Sequence, residues 1–180
     1  MNPRHNQRPS TWDGLMETVD FAMLALRVWA GVVMVAHGIH HARTIPGTTN
    51  WFGKVGFRSP HLNAMLSAGN ELAIGLALLA GLLTSVAAAG LAATMIVAFW
   101  SIHRFAGFFV FNRPDEGYEY VVTLAVVALA IAIVGPGTLS LDDLLGIDLS
   151  GSTGALIYAA GVIAAALQLA VFWRRPKVSE

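Results

Sequence analysis

Three histidines, His37, His40 and His41, stand at i, i+3 and i+4 spacing, so on a helix they share one face. Further along lie His103, Glu119 and Tyr120, and between them Glu71, a carboxylate within a long apolar run. If these residues meet, they offer imidazole, carboxylate and phenol groups at one place. Such a set has the chemistry to protonate and deprotonate a quinone, with histidine and carboxylate as proton donors and acceptors. The same nitrogen and oxygen atoms are also ligand types for a divalent metal. A third reading is plainer: polar residues at a membrane surface, solvated by headgroups. Metal ranks last, and no metal site is assigned, because no ligand spacing here is diagnostic without cysteine. If His37 and His41 face inward, His40 faces the headgroups. The phenylalanines Phe105, Phe108 and Phe109, with Phe111, lie beside this group; they read either as an interfacial belt or as the wall of a hydrophobic cofactor-binding slot.

Two charged residues fall deep in apolar segments, where ionisable groups are costly and face the bundle interior. Arg27 lies about 9 Å inside one end of its segment and Glu71 about 14 Å from the opposite end of its own, at 1.5 Å per residue. Across a hydrocarbon core of ~30 Å this leaves roughly 7 Å, within reach of an extended arginine. The expectation is a structural ion pair, Arg27 with Glu71. The functional alternative is Glu71 as a proton-carrying carboxyl.

The elements that must position these groups are membrane spans. Of the 180 residues, 56% are apolar and 12% charged, against about 25% charged in a soluble domain; mean hydropathy is +0.62. Zero net charge argues against nucleic acid as a partner. The absence of cysteine removes disulfides, thiolate metal sites and thiol relays from this chain. The polar residues 1–18, with Pro3, Pro9, Asp13 and Glu17, lack the pattern of a signal peptide, so the first apolar segment is expected to remain in the membrane. Five stretches approach the ~20 apolar residues needed to cross: Phe21–Ile39, Leu62–Leu83, Thr84–Ile102, Tyr118–Val134 and Ala155–Trp173. Ser59-Pro60 reads as an N-cap and first turn. Spans two and three form a tight hairpin over Gly81–Ser85, and Gly69, Gly75, Gly81 and Gly90 are small residues of the kind that let membrane helices approach closely. Gly135-Pro136-Gly137 ends span four, and an acidic linker with Asp142, Asp143 and Asp148 follows.

Arg43, Lys54 and Arg58, then Arg104 and Arg113, then Arg174, Arg175 and Lys177 fall on one side of five spans, eight basic residues against Arg4 and Arg8. The positive-inside rule then sets the N-terminus outside and the C-terminus in the cytoplasm of a bacterial plasma membrane.

The runs GVVMVAHGIHHA, WFGKVGFRSP, LSAGNELAIGLALLAGLLTS and FNRPDEGYEYVVTLAVVALAIAIVGPGTLSLDDLL, in this order, resemble the DoxX family of small four-helix membrane proteins. The resemblance covers roughly Phe21 to Leu145, with the Glu-Tyr opening of span four and the Gly-Pro-Gly-Thr-Leu-Ser-Leu-Asp ending as its specific pieces; the fifth span departs from it. The fold expected is thus all-α: a four-helix transmembrane bundle over residues 19–145, plus a fifth transmembrane helix and basic tail over 146–180. The family takes its name from a subunit of a thiosulfate:quinone oxidoreductase. The resemblance therefore implies a membrane subunit of an oxidoreductase or respiratory-chain-associated assembly, with the lipid bilayer and protein partners around it and quinone as the cofactor in view. Any enzymatic role is at most that of a redox subunit acting with partners. The alternatives are a non-enzymatic scaffold or accessory subunit, and a small proton-linked transporter.

Overall fold

A computed structural model describes residues 11–111 and 116–176. Arg4, Arg8, Arg113 and Lys177, which entered the charge asymmetry, lie outside the described residues.

The architecture is all-α. Helix α1 (Thr11–Arg43) is followed by α2 (Ile45–Lys54), α3 (Pro60–Ala80), α4 (Thr84–Ser101), a 3-10 turn (His103–Phe105), α5 (Glu119–Val134), the short α6 (Leu141–Leu145) and α7 (Gly151–Phe172). The helices α1, α3, α4 and α7 are long and apolar enough to cross a bilayer unaided, and α5 is a shorter apolar helix of 16 residues. The chain is a multi-pass membrane protein. Helix α1 packs along α3, α4 packs against α3, α5 and α7, and α7 lies outermost against α4 and α5.

Bilayer helices gain little from hiding apolar surface, so their association depends on close packing. The α1–α3 seam is built that way: a Cβ on Gly75 would stand 2.7 Å from the Val35 backbone nitrogen and 2.8 Å from the Gly31 carbonyl oxygen. A Cβ on Gly38 would meet the Leu72 backbone at 2.8 Å. Gly154 and Gly161 seat α7 on α5 and α4 in the same manner, against the Ala132 and Ala89 carbonyls. Gly69, by contrast, faces open space and takes no part in packing. Between the helices lies a core of Met23, Ala30, Met34, Leu78, Leu91 and Ile131 with several alanines.

At 1.5 Å per residue α5 is about 24 Å long, short of a ~30 Å core. The following segment folds back over that end of the bundle, and its backbone needs partners there. Arg27, buried to 1% exposure, supplies some. Its Nη1 donates to the Leu78 carbonyl (3.2 Å) and its Nη2 to the Leu139 carbonyl. Asp142, also buried, accepts from the backbone N–H groups of Leu83 (2.6 Å) and Thr84 (2.8 Å), so it caps α4 from a distant part of the chain. Its own N–H donates to the Gly81 carbonyl (2.8 Å). Gly81 ends α3 in the left-handed conformation (φ +65°), and any Cβ there would collide with Arg27 Nη1.

Two expectations are corrected here. Arg27 and Glu71 do not pair. Arg27 binds at Leu78, seven residues or about 10 Å along α3 from Glu71, and the acidic group acting on its charge is Asp142. Asp142, which by sequence belongs to an acidic linker, is buried at this end of the bundle. Ser59 does occupy the N-cap position of α3, but in a left-handed conformation (φ 52°) without a side-chain capping bond. Asn63 Nδ2 instead donates to the Arg58 and Ser59 carbonyls (2.9 and 3.2 Å).

At the other end, the loop after α2 is stitched to the end of α7. Phe57 bridges Trp173, the Arg58 N–H donates to the Phe172 carbonyl (2.6 Å), and Trp173 Nε1 donates to the Val55 carbonyl (2.8 Å). Arg43, Lys54, Arg58, Arg104, Arg174 and Arg175 all belong to this end.

Candidate functional site

The end carrying the basic residues is hollow. A cavity of about 490 Å³ opens between α1, α3, α4, α5 and α7, walled by apolar residues such as Val33, Met34, Phe52, Met95 and Leu124. Into it project His37 and His41 of α1, Ser67, Asn70 and Glu71 of α3, Thr94 and Ser101 of α4, Tyr120 of α5 and Gln168 of α7, with His103 and Glu116 at the loop side.

Its deepest charged group is Glu71, 4% exposed. Ser67, one turn earlier on α3, donates through Oγ to Glu71 Oε1 at 2.7 Å. His41 Nδ1 lies 3.0 Å from Glu71 Oε2 and 3.5 Å from Ser67 Oγ. The His41–Glu71 contact is close but poorly aligned, and Oε2 accepts no well-directed hydrogen bond. One carboxylate oxygen is thus satisfied while its twin faces an imidazole and the cavity. The His37 and His41 rings sit edge to face at 6.4 Å, His41 nearer the basic end and His37 one turn further into the bundle along α1. His40, exposed, lies against His41 at 6.0 Å on the outer side.

His103 Nδ1 lies 2.7 Å from the carbonyl oxygen of Glu116. A carbonyl only accepts, so Nδ1 carries the proton and Nε2 of the neutral ring is left as an acceptor.

The structure therefore gathers His37, His41, Glu71, His103 and Tyr120 about one cavity. Glu119 is not among its walls: its Oε2 accepts from the Val110 N–H (3.3 Å) outside the cavity, and Glu116 stands on the cavity side in its place. Phe105, Phe108 and Phe109 do not wall it either. They lie about half exposed on the outer surface. Phe108 meets Tyr118 edge to face and Phe109 stacks on Phe111, while Phe105 lies under the guanidinium groups of Arg104 and Arg175 at 4.5 and 4.9 Å. The slot is walled instead by Trp51, Phe52 and Phe57 of the α2 region. The sequence reading also passed over Ser67, Asn70 and Gln168. The available signal was an amide or hydroxyl inside an apolar span, which is glue or function by default.

These features define an all-α multi-pass membrane protein with a polar chamber at one end of its bundle. Residues 22–104 match the profile of the DoxX family. A Haemophilus influenzae protein described only as uncharacterized is 33% identical over 104 residues, covering 53% of this chain and 67% of the relative. The chain belongs to the DoxX family. The match takes in α1 to α4 with His37, His41, Glu71 and His103; Tyr120, Asp142 and Gln168 lie beyond it. No solved structure gives a significant match.

Proposed function

We propose that the chain is a quinone-binding membrane subunit of an oxidoreductase assembly, with the quinone head group held in the chamber between His41, Glu71 and His103. The observation that carries this reading is Glu71: a buried carboxylate with one oxygen bonded to Ser67 and the other facing His41 and an apolar-walled chamber. The donor set suits a flat ring with two carbonyl oxygens, since apolar walls hold the ring while a few polar groups orient it. When bound, a quinone supplies two-electron, two-proton chemistry, its electrons coming from a redox-active partner protein. This chain's residues hold and move the protons. Glu71 and His41 share one in the chamber, and His40, beside His41 on the outer side, leads to the surface; His103, oriented by the Glu116 carbonyl, offers an acceptor nitrogen on the opposite side.

The test is binding of 2-methyl-1,4-naphthoquinone to the purified protein, read by tryptophan quenching because Trp51 lines the chamber, alongside the quinone content after mild solubilisation. Glu71→Gln and His41→Gln are expected to weaken binding by about tenfold or more, as for loss of a charged hydrogen bond. Glu119→Gln is expected to bind as the wild type does. A wild-type protein that neither carries quinone nor binds the naphthoquinone would remove the redox reading and leave an accessory subunit.

The same reading places the chain in a bacterial plasma membrane with the chamber on the cytoplasmic side, following the basic residues at that end. In this cysteine-free chain, Leu144→Cys is expected to react with an impermeant thiol reagent in intact cells and Lys54→Cys only after lysis. The reverse pattern would invert the orientation.

A further inference from the structure

The chamber is not the only cavity on α3 and α4. A second, of about 430 Å³, lies in a groove between α3, α4 and α7, and it shares Asn70, Thr94 and Gln168 with the first. The two cavities meet at those three side chains and divide the bundle between them. The chamber occupies the basic end; the groove runs from Thr94 back along α4 to Leu83, eleven residues or about 16 Å.

Their linings differ in kind. Beyond the shared polar residues the groove holds no ionisable group: α3 presents Ala73, Ile74 and Ala77, α4 presents Val86, Gly90 and Ala93, and α7 presents Ala164. Small residues on all three helices keep it open. At Gly90, a Cβ would reach the Ile74 side chain at 2.9 Å, so this close approach is part of the groove's shape.

We propose that the groove holds the apolar tail of the same ligand whose head group sits in the chamber, making that ligand a long-tailed, membrane-resident quinone. This rests on the quinone reading above and extends it to the ligand's class. Two cavities that adjoin at shared side chains, with ionisable groups confined to one and an apolar lining in the other, are what an amphiphile requires. A polar solute would find nothing in the groove to replace its hydration. The direction also fits. A head group at the basic end and a tail running inward is how an amphiphile lies in a leaflet, and this groove carries the tail toward the far face. Asn70, Thr94 and Gln168 stand at the neck, where the ring ends and the tail begins.

The experiment compares two probes on the purified protein: 2-methyl-1,4-naphthoquinone, and the same ring carrying a four-isoprene tail. The wild type is expected to bind the tailed probe at least tenfold more tightly. Ala73→Phe and Ala164→Phe, at exposed positions on opposite walls of the groove, are expected to abolish that advantage while leaving the tail-less affinity and the melting temperature unchanged. The two variants lie on different helices, so one that folds poorly leaves the other to decide. Full retention of the tail advantage in a folded variant would overturn the groove assignment, as would a wild type with no preference between probes. Neither result would touch the head-group site. Failure of the wild type to bind either probe would instead overturn the quinone reading, and this inference with it.

Discussion

Arg27→Leu is expected to lower the stability of the purified protein by about 3–5 kcal/mol, the usual cost of removing one member of a buried charged set. The guanidinium is 1% exposed and donates to two backbone carbonyls from different parts of the chain, Leu78 and Leu139. Without it those acceptors are stranded at membrane depth, and the segment that closes the end of the bundle loses its anchor. Asp142→Asn keeps one acceptor oxygen for the α4 N-terminus but removes the charge facing Arg27. The two changes should therefore couple, with a double variant less damaged than the sum by about 0.5–3 kcal/mol. Glu71→Gln lies about 10 Å away along α3 and should add to Arg27→Leu without coupling. Thermal unfolding in one detergent, across both cycles, checks this. Coupling of Arg27 to Glu71 instead of Asp142 would contradict the arrangement.

The second large effect is expected at Gly75. Its missing Cβ would lie 2.7–2.8 Å from backbone atoms of Val35 and Gly31, and backbone cannot swing aside as a side chain can. Gly75→Ala must force α1 and α3 apart along their whole seam. Overpacking of this kind costs about 1–3 kcal/mol, and Gly75→Leu should exceed that range. Gly69→Ala is the built-in control, since nothing lies within 4 Å of its added methyl. It should be neutral or slightly stabilising through helix propensity. Equal losses at the two glycines would mean that the seam is not the source.

How much of this was legible in the sequence follows the physics of each signal. Spans are read from hydropathy alone, because lipid demands long apolar helices whatever their neighbours are. Histidines at i and i+4 share a face on any helix, so His37 and His41 could be grouped without knowing what they faced. The pairing of Arg27 was not readable. Its depth was reckoned along one helix, and reach within a bundle depends on which chain segment returns to fill the end. That segment, around Leu139 and Asp142, reads as an acidic linker because its polar atoms are satisfied by residues far away in sequence. Glu119 reads as a site residue because it opens α5 beside Tyr120, but the turn before the helix brings Glu116 to the chamber instead. The phenylalanines read equally as an interfacial belt or as a slot wall, since proximity in sequence leaves a loop free to present them to either side. Ser67, Asn70 and Gln168 each stood alone in an apolar run, and only helix packing shows that they share one lining.

Helix α1 has 33 residues and is about 50 Å long. Even at a tilt of 40°, the upper end of the usual range, a ~30 Å hydrocarbon layer accommodates only about 39 Å of it. At least seven or so residues must therefore stand clear of the acyl chains as an unbroken extension of the first span. Its first turns carry Asp13 and Glu17 together with the exposed side chains of Trp12, Leu15 and Met16, the mixed composition of a helix end leaving the hydrocarbon. The protein thus carries a stiff mast on the face opposite its chamber, and a force or a neighbour acting on that mast bears directly on the glycine seam below.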